Sequence, residues 1–132
     1  MDAKERVLNK RTAGYCCSET VMAMCLEDLG RNPDSDRDLI KSMGAYCGGL
    51  HEGLSCGALC AAVAVLWIVE QDPVKAHDEI GPEMMAWFHE RFGSWNCSDL
   101  LDGDESWMMA LCPIIMEDTY LKVREMLDAM GY

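Results

Sequence analysis

Basic side chains are scarce in this chain. Eleven Lys and Arg stand against 23 Asp and Glu, a formal net charge of −12. Such a surface repels phosphate backbones and anionic headgroups, which disfavours nucleic acid and lipid surfaces as partners, so no nucleic-acid partner is expected. Long apolar runs are also missing. Leu54 to Val69 falls short of the ~18 residues of a membrane span, and it is flanked by Glu52, Glu70 and Asp72. No strand-like alternation persists over four residues between turn signals, which leaves helical periodicity as the organising pattern. The eight cysteines include no C-x-x-C pair, and without C-x-x-C-H the chain cannot attach a c-type haem. No Ser/His/Asp set, paired-carboxylate site or zinc-protease helix can be assembled, so hydrolase chemistry is not expected. Met1 to Arg6 lacks the apolar core of a secretion signal, from which a cytoplasmic protein with reduced thiols and no disulfide framework is expected.

What is present reads as one all-α domain over residues 1–132, a compact bundle of about five to six helices. The helical segments are Ala3 to Lys10, Cys16 to Leu29, Ser35 to Met43, Ser55 to Glu70, Pro73 to Phe92 with a break at Gly81-Pro82, and Pro113 to Met130. Cys97 to Leu101 adds a turn. The run from Gly57 to Val69 is almost wholly apolar and reads as a central helix buried on all sides. Ahead of it lies a loop with Gly44, Gly48, Gly49, Gly53 and Gly57, too rich in glycine for a packed helix. A phosphate cradle is disfavoured, because no Lys follows the glycines and no Arg or Lys occurs between Lys41 and Lys75. Gly48, Gly49, Gly53 and Gly57 suit a loop that brings backbone N–H groups close to sulfur.

Four cysteines fall where helices begin. Cys17 opens the second segment, Cys56 follows the N-cap candidate Ser55, Cys97 stands between Asn96 and Ser98, and Cys112 precedes Pro113, a residue favoured at a first helical position. Helix N-termini favour thiolate over thiol, so all four are expected as low-pKa sulfurs fit for nucleophilic or metal-ligating use. Cys25 and Cys47 have no cap, cation or close cysteine in sequence and read as packing residues. Of the three histidines only His51 lies near a cysteine, and His77 and His89 read as solvated or core-satisfied. The 11 methionines show no Met-x-x-Met repeat and read as core filler rather than a copper site. Asp99 to Glu105 lacks the ligand alternation of a calcium loop.

With these cysteines located, the chain resembles the C_GCAxxG_C_C family, redox-active proteins named after their cysteine pattern. The matching residues are Cys17 in Gly14-Tyr15-Cys16-Cys17-Ser18-Glu19-Thr20-Val21, the run Gly48-Gly49-Leu50-His51-Glu52-Gly53-Leu54-Ser55-Cys56-Gly57-Ala58-Leu59, Cys97 in Phe92-Gly93-Ser94-Trp95-Asn96-Cys97-Ser98-Asp99, and Cys112. Two departures stand out: Ser-Cys-Gly-Ala replaces Gly-Cys-Ala at Cys56, and Cys60-Ala61 stands where the pattern closes on glycine. Cys16 and Cys60 are additional to the pattern. The resemblance implies redox chemistry at Cys17, Cys56, Cys97 and Cys112, and relatives joined to cytochrome segments point toward electron transfer.

Three readings remain open. In the first, Cys17, Cys56, Cys97 and Cys112 hold an iron–sulfur or other thiolate-ligated metal centre in a small electron carrier or redox sensor, with Cys16, Cys60 and His51 as further candidate ligands. In the second, the same four are redox-active thiols of an oxidoreductase-type protein without cofactor, Cys56 attacking and Cys17, Cys60 or Cys112 resolving. In the third, the cysteines only pack, and Trp67, Trp87, Trp95 or Trp107 marks a partner surface. An unidentified redox partner protein and a second copy of the chain are the expected partner types.

Overall fold

The computed structural model describes all 132 residues and is helical throughout; its only β pairing is an isolated antiparallel bridge between Ser55 and Asn96. The helices are α1 (Ala3–Thr12), α2 (Cys17–Asp28), α3 (Arg37–Ser42), α4 (Gly57–Val69), α5 (Pro73–Lys75), α6 (Gly81–Phe92), α7 (Cys97–Leu100) and α8 (Met108–Ala129). The all-α expectation holds. No helix is long and apolar enough to cross a membrane.

The enveloped helix is α2 rather than α4. Every residue from Thr20 to Leu26 is buried, because α1, α3, α4 and α8 all pack around this helix. The expectation that α4 is buried on all sides is corrected. Ala58, Leu59, Ala61, Ala62, Val65 and Leu66 face the core, while Cys60, Val63, Ala64 and Ile68 are half-buried and Trp67 is exposed. Phe88 and Met84 of α6 and Met116, Val123 and Leu127 of α8 complete the same core.

Helix boundaries differ from the sequence reading at two prolines. Gly81-Pro82 does not break the chain; a π-helical turn, Ala76–Ile80, carries α5 into α6 with helical backbone angles at Gly81. Pro82 follows that turn as the second residue of α6. Pro113 does not open α8. That helix starts earlier, at Met108, after a 3-10 turn at Glu105–Trp107 capped by Asp104, so Pro113 lies inside it.

A charged seam closes α1, α2 and α8 at one end. Arg6 of α1 donates to Tyr120 Oη at 2.8 Å and pairs with Glu27 at 3.1 Å and Asp28 at 3.1 Å. Lys10 pairs with Glu27, and Tyr120 donates to Asp28. The opposite, α4 N-terminal end of the bundle is where the cysteines gather.

Candidate cysteine site

Cys17, Cys56, Cys97 and Cys112 come from four separate elements and line one cavity of about 80 Å³, several times what a single water needs. Its walls are largely apolar, with Ala58, Leu100, Leu101 and Ile115 beside the sulfurs, and Arg11 is the charged residue on the lining. Cys16 and Cys47 line the same cavity.

Local sequence explains how each sulfur arrives. Cys17 is the first residue of α2, behind the cap residue Cys16, whose N–H donates to Glu19 Oε1 at 3.1 Å. The Glu three residues into the helix thereby fixes its start in the manner of a capping box. Cys56 is itself the N-cap of α4, one residue later than the Ser55 expected from sequence. Gly57 follows because nothing larger fits: a Cβ there would stand 2.8 Å from Cys17 Sγ and 2.7 Å from the Tyr46 carbonyl. Cys97 begins the short α7 and is tied to Cys56 through backbone alone. Cys56 N–H donates to the Trp95 carbonyl at 2.7 Å, and Cys97 N–H donates to the Leu54 carbonyl at 2.6 Å. Cys112 lies in the second turn of α8 and not at a helix start, which corrects its predicted placement.

The glycine loop turns by a left-handed run. Gly48, Gly49, Leu50 and His51 all have φ near +61° to +62°, and Gly53 follows at +74°. Leu50 and His51 adopt a backbone that normally disfavours L side chains. Gly48 and Gly57 line the cysteine cavity; Gly49 and Gly53 do not. Gly53 instead abuts α7, where a Cβ would meet Ser98 Cβ at 2.9 Å. His51 is exposed, its Nε2 3.1 Å from the Gly44 carbonyl, and faces a neighbouring depression beside Cys97 rather than the cavity. Cys60 is half-buried one turn beyond Cys56 and outside the cavity lining.

The expectation of low-pKa thiols is overturned where the electrostatics resolve. Burial pushes Cys56 up to about 12, against the opposing pull of the Leu59 and Ala58 amides, and the Cys17 and Cys97 sulfurs add to the rise. Cys112 goes up to about 11 through burial and the nearby Cys17 and Cys97, with Arg11 acting the other way. Cys97 and Cys60 are raised too, by burial first and then by Cys17. An apolar wall costs the thiolate more than a helix end returns. Cys17 is the common neighbour of the other four.

Cys47 does not merely pack, and the reduced state expected for all eight thiols does not hold for two of them. Cys47 forms a disulfide with Cys16 across 31 residues of sequence, with Cα atoms 6.2 Å apart, while the other six cysteines are free. Ser18 Oγ, fully buried, donates to the Met43 carbonyl at 2.5 Å and lies 3.0 Å from Cys47 Sγ. Cys16, Glu19 and Cys47 are the one set of three metal-capable donors within 4.8 Å of one another. The four motif sulfurs are spread more widely. Sequence reasoning missed Cys47 because its partner is remote, and missed Arg11 because nothing nearby in sequence singles it out. Arg11 is half-buried and has no acidic partner, whereas Arg6, Lys10, Arg31, Arg91, Lys122 and Arg124 are all ion-paired.

No curated protein and no solved structure matches the chain. One family model does, over residues 15–126, with the description "putative redox-active protein (C_GCAxxG_C_C)". That span contains Cys17, Cys56, Cys97 and Cys112 together with the glycine loop, so the chain belongs to the C_GCAxxG_C_C family of redox-active cysteine proteins.

Proposed function

We propose that the protein is a small electron carrier or redox sensor in which Cys17, Cys56, Cys97 and Cys112 hold a metal centre of the iron–sulfur kind and exchange electrons with a partner protein. The observation that carries this reading is the convergence of four cysteines from four elements on one apolar cavity. Cysteines that only pack have no reason to share a wall; Cys25, buried and apart from the cavity, is what packing alone looks like.

The electrostatics favour a bound cation over free thiolates. Thiols raised as Cys56 and Cys112 are, by burial and by neighbouring sulfurs, are protonated at neutral pH and are poor nucleophiles, which counts against cofactor-free exchange with Cys56 as the attacking sulfur. A metal reverses the balance, because coordination deprotonates a thiol outright. Donor chemistry fits: four sulfurs match a cluster's usual complement, and Arg11 offsets part of the charge they accumulate. Spacing discriminates further. A single tetrahedral ion with bonds of ~2.3 Å draws its sulfurs to roughly 3.8 Å of one another, and these four are wider apart than 4.8 Å as a set. A multinuclear centre tolerates that spread. When bound it would supply reversible one-electron chemistry, and the protein's part is to hold the sulfurs, exclude water and set the potential through charge and burial.

The test is purification of the full chain without oxygen, with iron, zinc and acid-labile sulfide measured per chain and the visible spectrum recorded. Iron and sulfide with broad absorption between ~300 and 500 nm are expected, with loss of both in Cys56→Ser and Cys17→Ser. A colourless chain free of iron and sulfide under these conditions would refute the reading.

A further inference from the structure

The Cys16–Cys47 pair has a setting of its own. Cys47 is 8% exposed and lies against the buried Ser18 hydroxyl, whereas Cys16 is half-buried. Cys16 is among the residues that line a depression between α1 and the start of α8, with Leu8, Tyr15, Met109 and Pro113. Arg11 lies on that border and on the inner cavity as well. It is the single half-buried cation of this acidic chain without an ion pair; the other two unpaired cations, Lys4 and Lys41, are exposed. A more exposed cysteine bonded to a buried one and a guanidinium free of any carboxylate on the same border are the parts of an exchange site for an anionic thiol.

We propose that Cys16 and Cys47 are a thiol–disulfide exchange pair serving small carboxylate-bearing disulfides and thiols of the glutathione type, with Cys16 as the attacking sulfur, Cys47 as the resolving one, and Arg11 holding the substrate carboxylate. The inference is independent of any metal at the other four cysteines. In the oxidising direction the Cys16 thiolate attacks one sulfur of the small disulfide, its S–S bond breaks, and one small thiol leaves with the proton. Cys47 then attacks Cys16 Sγ in the mixed disulfide, closing the internal bond and releasing the second small thiol. One external disulfide and two protein thiols become one internal disulfide and two external thiols, so atoms, protons and electrons balance. In the reverse direction a small thiolate attacks Cys16 and Cys47 leaves as thiolate. The Ser18 hydroxyl, 3.0 Å away, then has an acceptor to which it turns from the Met43 carbonyl. The order of attack follows from access, since an outside thiol reaches Cys16 and not Cys47.

The experiment treats the reduced full chain with glutathione disulfide without oxygen, quenches with acid and maps the products by mass. Wild type is expected to release two glutathiones and carry a Cys16–Cys47 bond, while Cys47→Ser, and Cys47→Ala as a second variant, stop at one glutathione on Cys16. Cys16→Ser should leave Cys47 unmodified on the same timescale. Arg11→Ala should slow the reaction with glutathione disulfide about tenfold, Arg11→Lys should restore most of the rate, and the loss should be markedly smaller with uncharged hydroxyethyl disulfide. Equal modification of Cys47 in the Cys16→Ser variant, an adduct on Cys17 in place of Cys16, or a rate indifferent to Arg11 would overturn the proposal. Zinc retained stoichiometrically by wild type and lost from both single variants would overturn it too, since the pair would then be a ligand set with Glu19. Iron and sulfide measured on the same samples keep this outcome separate from that of the metal centre.

Discussion

Burial decides the chemistry of individual sulfurs here. Cys25 is fully enclosed in α2, away from the cysteine cavity, and is pushed up to about 12, first by burial and then by Asp28. An unfolded thiol releases its proton near its ordinary value of 9.0, while the folded one keeps it to about 12. Between these values the folded state binds more protons, so stability present below pH 9 is lost as pH rises through that window. Denaturant titrations from pH 8 to 11 should show wild type losing about 1.4 kcal/mol per pH unit more than Cys25→Ala above pH 9. Parallel slopes for the two would contradict this. Gly57 illustrates the other control at this scale, space. A methyl group there would press on Cys17 Sγ and the Tyr46 carbonyl, so Gly57→Ala should cost about 1–3 kcal/mol and lower the bound iron per chain. Gly48 also lines the cavity but has nothing within 4 Å of its Cβ direction; there the constraint is its left-handed backbone.

Among the elements, α7 has the weakest hold of its own. It is four residues long, none of them buried, and it stays in place through the two backbone bonds between Leu54 to Cys56 and Trp95 to Cys97. Trp95 secures that segment from the other side. Its indole Nε1–H donates to the Met85 carbonyl at 2.9 Å, and the ring packs on His89 with centroids 4.4 Å apart. Trp95→Ala should therefore displace Cys97 more than it unfolds the bundle. The expected result is a midpoint lowered by a few degrees together with disproportionate loss of iron. Trp95→Phe, which keeps the stacking and drops the hydrogen bond, should fall between wild type and Trp95→Ala; retention of full iron content by Trp95→Ala would show that α7 is held otherwise.

Over the whole molecule, the bundle and the site draw on different sources of stability. The core of α2, α4, α6 and α8 is continuous and apolar, while the Gly48 to Cys56 loop and the Asn96 to Asp104 segment meet mainly around the cysteines. Removing the proposed centre should leave helical content near the wild-type level, since the core does not depend on it. Amide exchange should accelerate in residues 48–56 and 96–104 and stay slow in α2 and the inner face of α4. Global unfolding on metal removal would instead make the centre part of the core. The net charge of −12 adds an expectation about the redox partner: electron exchange with a basic partner should slow steeply as ionic strength rises.

The amino-acid sequence by itself determined the class of fold and singled out the cysteines that the fold brings onto one cavity. Helical periodicity and near-total absence of strand alternation are local properties, and so are the glycine loop and the charge imbalance. Local signals also placed Cys17, Cys56 and Cys97 at or beside helix starts, as found. They failed at Cys112, where Pro113 imitates a helix opening but lies inside a helix whose true start is set by Asp104 and the 3-10 turn. Only tertiary structure decided the direction of the thiol pKa values, because a helix end is visible in sequence whereas the apolar wall opposing it is assembled from α2, α4, α7 and α8. It alone paired Cys16 with Cys47, brought Arg11 to the cysteine cavity and to the depression beside Cys16, and left one side of the most apolar helix only half-buried. Each of these depends on contacts between residues far apart in the chain, and a sequence read along its length carries no record of which distant residues meet.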